Sequence, residues 1–241
     1  MKFGFIIIFF IILIGVSNNF ILVQGTSQDD TQISRWKIQE WNDDFVAAWE
    51  WPSKYFVTTA SSYINYTLSH YDPANFTHPS AGTIEIGNLT TQTTNNKTAE
   101  VLALSIWGWF PGLITSSSDW NHQKEVAQEA AHGQWTAGSL DTNELMYHYN
   151  SSSLKAINFT YSQDPGGANQ NTTLIYDKSS GILLEGYTEL YFETLYILKL
   201  KLVYSDLISE SNIITWPLIS VSFAVFGIGL AHRFSKRWKT R

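Results

Sequence analysis

His122, Glu125, Glu129 and His132 fall at i, i+3, i+7 and i+10. If the segment is helical, that spacing gathers two imidazoles and two carboxylates into one stripe, the ligand types of a divalent-metal site. Val126, Ala127, Ala130 and Ala131 form an apolar stripe on the other side, and no H-E-x-x-H spacing occurs. A solvated helix face is therefore the simpler expectation, with no metal. Asp141, Glu144, Asp164 and Asp177 supply carboxylates of the kind that pair in glycoside hydrolysis or ligate calcium. Asp164-Pro165-Gly166-Gly167 and Asp177-Lys178 carry turn chemistry instead. His70, His78 and His148 lack ligand spacing. The chain has no G-x-S-x-G elbow, no phosphate loop and no cysteine, so no motif specifies a reaction and no cofactor is expected.

The most concentrated aromatic group is Trp107, Trp109 and Phe110. Three readings fit it: the end of a core element packed on a sheet, the wall of a cleft for an apolar ligand, or a contact with a membrane surface. These three residues are the candidate ligand-binding set.

The elements that would position them emerge from periodicity. Trp36, Trp41, Phe45, Ala48 and Trp49 recur at three- to five-residue steps for the most part, and a helix is expected over Asp43–Trp51, ended by Pro52. Tyr63 to His70 alternates as a strand, Thr83 to Ile86 is a short one, and the Thr- and Asn-rich run Asn88 to Lys97 reads as a loop. Thr98 to Phe110 is apolar on nearly every side and stops at Pro111-Gly112, which predicts a buried helix. A second helix is expected over Trp120 to His132, ending at Gly133. Beyond it the period becomes two, with Leu145, Tyr147 and Tyr149 on one strand face, then Ile157, Phe159 and Tyr161, then Leu198, Leu200, Leu202 and Tyr204. Leu174 to Leu184, with Gly181 where positive φ is needed, is a hairpin. Helices ahead of a strand meander predict an α+β fold: an antiparallel sheet with helices on one face.

The hairpin stretch Tyr176-Asp177-Lys178-Ser179-Ser180-Gly181-Ile182-Leu183 resembles the Y-D-K-x-x-G-I-L hairpin of uncharacterised archaeal cell-surface proteins that carry a signal peptide and a C-terminal anchor. Leu104-Ser105-Ile106-Trp107-Gly108-Trp109-Phe110-Pro111-Gly112-Leu113 resembles a recurring segment of the same proteins. The hairpin is also loosely similar to those of LolA-type lipoprotein carriers, and that resemblance implies a curved sheet able to hold acyl chains. Neither resemblance implies an activity.

The frame of the chain sets its compartment. Lys2 followed by Phe3 to Val16 and Phe20 to Val23 reads as a signal peptide over residues 1–25, with retention as an N-terminal anchor the alternative. Residues 26–212 form one extracytoplasmic domain. Ile213 to Ala231 has 19 residues without charge, enough for a transmembrane helix, and residues 232–241 form a basic cytoplasmic tail. The domain holds nine Lys or Arg against 21 Asp or Glu, whereas Arg233, Lys236, Arg237, Lys239 and Arg241 crowd the tail. That asymmetry places the tail inside, and the acidic domain argues against nucleic-acid binding. Seven N-x-S/T sequons, at Asn65, Asn75, Asn88, Asn96, Asn150, Asn158 and Asn171, all lie in the domain and suit a glycosylated surface protein. The expected function is a single-pass, extracytoplasmic binding or structural module whose partners are the membrane and an apolar ligand or envelope component. The alternative is an extracytoplasmic hydrolase or metal-dependent enzyme.

Overall fold

The computed structural model describes residues 31–42, 58–133, 136–163, 169–192 and 194–208. Nine strands form one antiparallel sheet: β1 (Gln32–Trp41), β2 (Tyr63–Tyr71), β3 (Ser80–Ile86), β4 (Leu89–Thr94), β5 (Gly138–Tyr149), β6 (Ser152–Gln163), β7 (Asn169–Asp177), β8 (Leu183–Phe192) and β9 (Thr194–Ser205). Their order is β4-β3-β2-β1-β9-β8-β7-β6-β5. Two meanders, β1–β4 and β5–β9, therefore join where the first strand pairs with the last. Residues 95–137 connect the meanders and carry the two helices described, α1 (Asn95–Val101) and α2 (Trp120–Ala131).

The sheet's inner face is built by alternation. Trp36, Ile38, Ile64, Tyr66, Ile84 and Ile86 are fully buried on the first meander; Phe159, Tyr161, Leu174, Tyr176, Leu198 and Leu200 match them on the second. Leu102, Leu104, Leu113 and Ile114 of the connection are equally buried, so the connection lies on the core. The indole N–H of Trp36 donates to the Leu183 carbonyl at 2.7 Å, which satisfies the one polar atom of a fully enclosed ring. β-Bulges at Arg35/Trp36, Ile38/Glu40, Leu68/His70 and Ile175/Tyr176 add local twist.

The α+β expectation is overturned. The structure is β-rich, with one nine-stranded sheet and two helices of 7 and 12 residues. Three differences account for this. Gln32–Trp41 is a strand, with Ser34, Trp36 and Ile38 pointing inward, although the spacing of Trp36 and Trp41 imitates a helical period. The expected loop Asn88–Lys97 holds β4, because Leu89 and Thr93 turn inward and threonines suit a pleated, half-covered surface. The expected helix Thr98–Phe110 starts earlier and stops at Val101. Ala103 has φ +51° and Gly108 φ +103°, and Ile106 pairs with Trp109 in a tight turn.

Leu145, Tyr147 and Tyr149 also face away from the side that holds Phe159. They register with Ala156, Leu154 and Ser152, whereas Ile157 and Phe159 register with Tyr176 and Leu174. The second meander thus carries apolar residues on both faces, not on one. The strand over Tyr63–His70, the helix over Trp120–His132 and the Leu174–Leu184 hairpin appear where expected. Asp119 caps α2 by accepting N–H bonds from Asn121 and His122, each at 3.0 Å. Among the described residues no helix is long and apolar enough to cross a membrane. The leader, the expected Asp43–Trp51 helix and the Ile213–Ala231 span lie outside them.

Candidate functional site

The connecting segment holds the candidate aromatics, and the sheet pins it at several points. Tyr176 donates to the Gly112 carbonyl at 2.8 Å, and Leu183 N–H donates to Leu113 O at 2.9 Å. Thr115 N–H reaches Gly181 O at 2.9 Å, while Ile114 and Ile182 form a bridge. Gln170 donates to Ser105 O at 2.7 Å, and Tyr196 to Leu102 O at 3.1 Å. The two stretches singled out in the sequence, around Trp109 and around Gly181, are thus laid against each other. Gly181, at φ +70°, leaves room for this contact: a Cβ there would lie 2.0 Å from the Thr115 carbonyl oxygen. Asp177 organises the same turn, accepting from the Ser180 N–H at 2.8 Å and from the Ser179 and Ser180 hydroxyls at 2.5 and 2.7 Å.

The three aromatic candidates divide in role. Trp109 is only 4% exposed; its ring packs 4.7 Å from Phe159, and its N–H donates to Gln123 Oε1 at 2.8 Å. It belongs to the core. Trp107 is 63% exposed and meets half-buried Phe110 edge-on, with ring centroids 6.2 Å apart. Beside Phe110 opens a cleft of about 170 Å³ walled by Phe76, Trp109, Phe110 and Val126 and bordered by Asn95, Asn96, Thr77, Thr115 and Gln123. That volume is below the roughly 300 Å³ at which sites for drug-sized ligands begin. Trp107 stands outside the cleft's lining.

Sequence reasoning missed the polar floor. Gln123 was the available signal, an amide on the same helical stripe as buried Ala127, Ala130 and Ala131. Its Nε2 donates to Thr115 Oγ1 and Ser116 O at 3.2 and 3.3 Å, so with the Trp109 bond both ends of the amide are engaged. Asn95 is 3% exposed and donates to Asn96 Oδ1 and Phe110 O, but its own Oδ1 has no hydrogen-bond partner.

The titratable residues singled out in the sequence do not converge. His122 stacks edge-on against Phe76 at 4.6 Å and has Glu125 at 4.0 Å, while His132 Nδ1 lies 2.9 Å from Gln128 O in its own helix. Among the described residues no group of three His, Cys, Asp or Glu could hold a metal ion. Glu144 instead bridges Lys178 at 2.7 Å and Lys124 at 3.8 Å. The Lys178 hydrogen bond and charge hold its carboxyl below the usual carboxylate range. His148 Nδ1 sits 3.2 Å from Ser153 Oγ, His70 is exposed, and the His78 N–H donates to Asn75 Oδ1. Asp141 is exposed on β5, and Asp164 lies outside the described residues.

The sequons fall in unlike settings. Asn88 and Asn150 occupy exposed hairpin turns, and Asn75 lies in a loop where its Oδ1 accepts from Thr77 and His78 N–H groups. Asn171 is exposed on β7; Asn65 on β2 and Asn96 in the first turn of α1 are half-buried. Asn158 lies mid-strand between β5 and β7, its Nδ2 donating to Asn143 Oδ1 and Thr160 Oγ1.

Compared with protein-family models, curated proteins and solved structures, the chain matches none.

Proposed function

We propose that this chain is a non-enzymatic binding module of the cell surface, anchored by Ile213–Ala231, that docks onto an envelope component through the Trp107–Phe110 knob. The observation carrying this reading is the 63% exposure of a tryptophan held on a rigidly pinned turn. An exposed, preorganised indole costs little entropy to bury against a partner and is a frequent energetic anchor of interfaces. The inner face of the sheet argues for surface docking over an enclosed acyl chain, because Leu102 and Leu104 already fill it against the strands. The hydrolase or metal-dependent alternative draws no support from His122 and His132, each engaged with neighbours in other roles.

Trp107→Ala in the full-length membrane protein tests the reading. Binding to an isolated envelope fraction, measured by co-sedimentation, is expected to weaken roughly thirtyfold, corresponding to about 2 kcal/mol. Thermal stability should stay within about 0.5 kcal/mol, because the ring packs on the surface. Unchanged sedimentation would remove Trp107 as the anchor.

A further inference from the structure

We infer that the outer face of the sheet, at the end where β1 begins and β9 closes, rests on the lipid bilayer that anchors the chain; this goes beyond the docking reading above and shares only its anchor, Ile213–Ala231. Asp206 N–H donates to Ile33 O and Leu207 N–H to Ser205 Oγ, each at 3.0 Å, so the chain leaves the sheet at that end. Residues 209–212 are all that separate Ile208 from the apolar stretch. At about 3.5 Å per residue, the steps from Ile208 to Ile213 reach no further than about 18 Å. β9 has 12 residues and is therefore about 36 Å long at about 3.3 Å rise per residue. The anchor holds the Ser205 end of the sheet near the membrane, and not the Thr194 end.

What that end presents outward is apolar. Ile33, Val203 and Tyr204 are 39%, 37% and 51% exposed. A β-bulge gathers them: Ser34 pairs with Ser205, Arg35 with Tyr204 and Trp36 with Leu202, which leaves Val203 as the extra residue. Val203 and Tyr204 then share the outward side against Arg35, while Leu202 and Ser205 turn into the core. Arg35 is exposed beside Tyr204, its Nε donating to Asn65 Oδ1 at 2.7 Å. Asp206, the carboxylate at the patch, is engaged by the chain itself, accepting from the Ile33 N–H at 2.8 Å and from the Tyr204 hydroxyl. Aliphatic side chains with a tyrosine and a guanidinium at one level suit the headgroup layer, where apolar stems enter and the polar tips stay with phosphates and water. The Trp107 turn belongs to the connection, on the other face of the sheet and toward its other end. Gln170 donates to Ser105 O there, and Gln170 registers with Leu190, which registers with Tyr196 near the start of β9. Bilayer and docking partner thus use opposite surfaces of the domain.

The chain has no cysteine, so single cysteines report without background. Val203→Cys, Tyr204→Cys, Ala74→Cys and Trp107→Cys in the full-length protein, each labelled with the fluorophore NBD, are reconstituted in phosphatidylcholine vesicles. Phosphatidylcholine carrying a nitroxide near its headgroup serves as quencher. Emission from at least one of positions 203 and 204 should fall by more than half; two patch positions guard against a label that perturbs one of them. Emission from position 107 should stay nearly constant. So should that from Ala74, which is exposed at the same end but beside the connection, where Pro73 O accepts from Ser116 and Ser117. A loss at Ala74 as large as at the patch, or no loss at both patch positions, overturns the inference. Alkaline carbonate extraction separates its failure from that of the anchor. If the protein resists carbonate yet positions 203 and 204 are unquenched, the anchor stands and the lipid-facing patch falls; release of the wild-type chain by carbonate removes the anchor and the inference with it.

Discussion

Gly181→Ala isolates the contact that holds the candidate site on the sheet. Gly181 has φ +70°, where an L-residue costs about 1–2 kcal/mol. The added Cβ would also stand 2.0 Å from the backbone oxygen of Thr115, and backbone cannot rotate away as a side-chain tip can. Relief requires the 113–116 stretch to lift, which breaks Thr115 N–H to Gly181 O and Leu183 N–H to Leu113 O, both 2.9 Å. At about 1 kcal/mol net for each bond, the total destabilisation is about 3–4 kcal/mol. For a domain of this size that lowers Tm by about 10 °C, readable by circular dichroism on heating. Gly181→Asn provides the internal check. Asparagine tolerates the left-handed region but brings the same Cβ, so it should recover only the backbone part of the loss. A Tm within about 3 °C of wild type for either variant would refute the argument that steric closeness sets this position.

Two further predictions concern pH and modification. Burial pushes the Tyr66 hydroxyl up to about 12, partly offset by the neighbouring Ser80 side chain, and burial with the nearby Asp177 charge pushes Tyr71 up to about 12. Both raise the folded pKa above the ordinary 10, so the folded state retains protons the unfolded chain has lost. Stability is full below pH 10 and declines between pH 10 and about 12; denaturant melts across that window should show a falling midpoint, and a flat profile would contradict it. Peptide mapping by mass spectrometry of the chain purified from its native source should find glycan at Asn88 or Asn150, on exposed turns, and leave Asn158 bare. The Asn158 amide is tied to Asn143 and Thr160 in the middle of the sheet, so occupancy there alone would count against this ordering.

The sequence alone determined the local pieces that short-range chemistry dictates. The Asp177–Gly181 turn was legible because the left-handed position demands glycine and the aspartate supplies the turn's acceptor. Helix α2 was legible because its alanine stripe sits at helical spacing and Gly133 marks its end, whereas its Asp119 cap emerged only in the structure. The aromatic cluster was legible as a group, but not as one buried and one exposed tryptophan. Only the tertiary structure decided that, because Ile106, Trp107, Gly108 and Trp109 form a turn whose direction is set by bonds from Tyr176, Leu183 and Gln170, 60 or more residues downstream. The same holds for strands β1 and β4. Their weak alternation becomes strand only when β2, β3 and β9 offer hydrogen-bond partners, a term that local propensity does not contain. The polar floor of the cleft shares this origin: Asn95 in α1, Thr115 in the loop ahead of α2 and Gln123 in α2 belong to one connection, and its folding onto the sheet brings them to one wall.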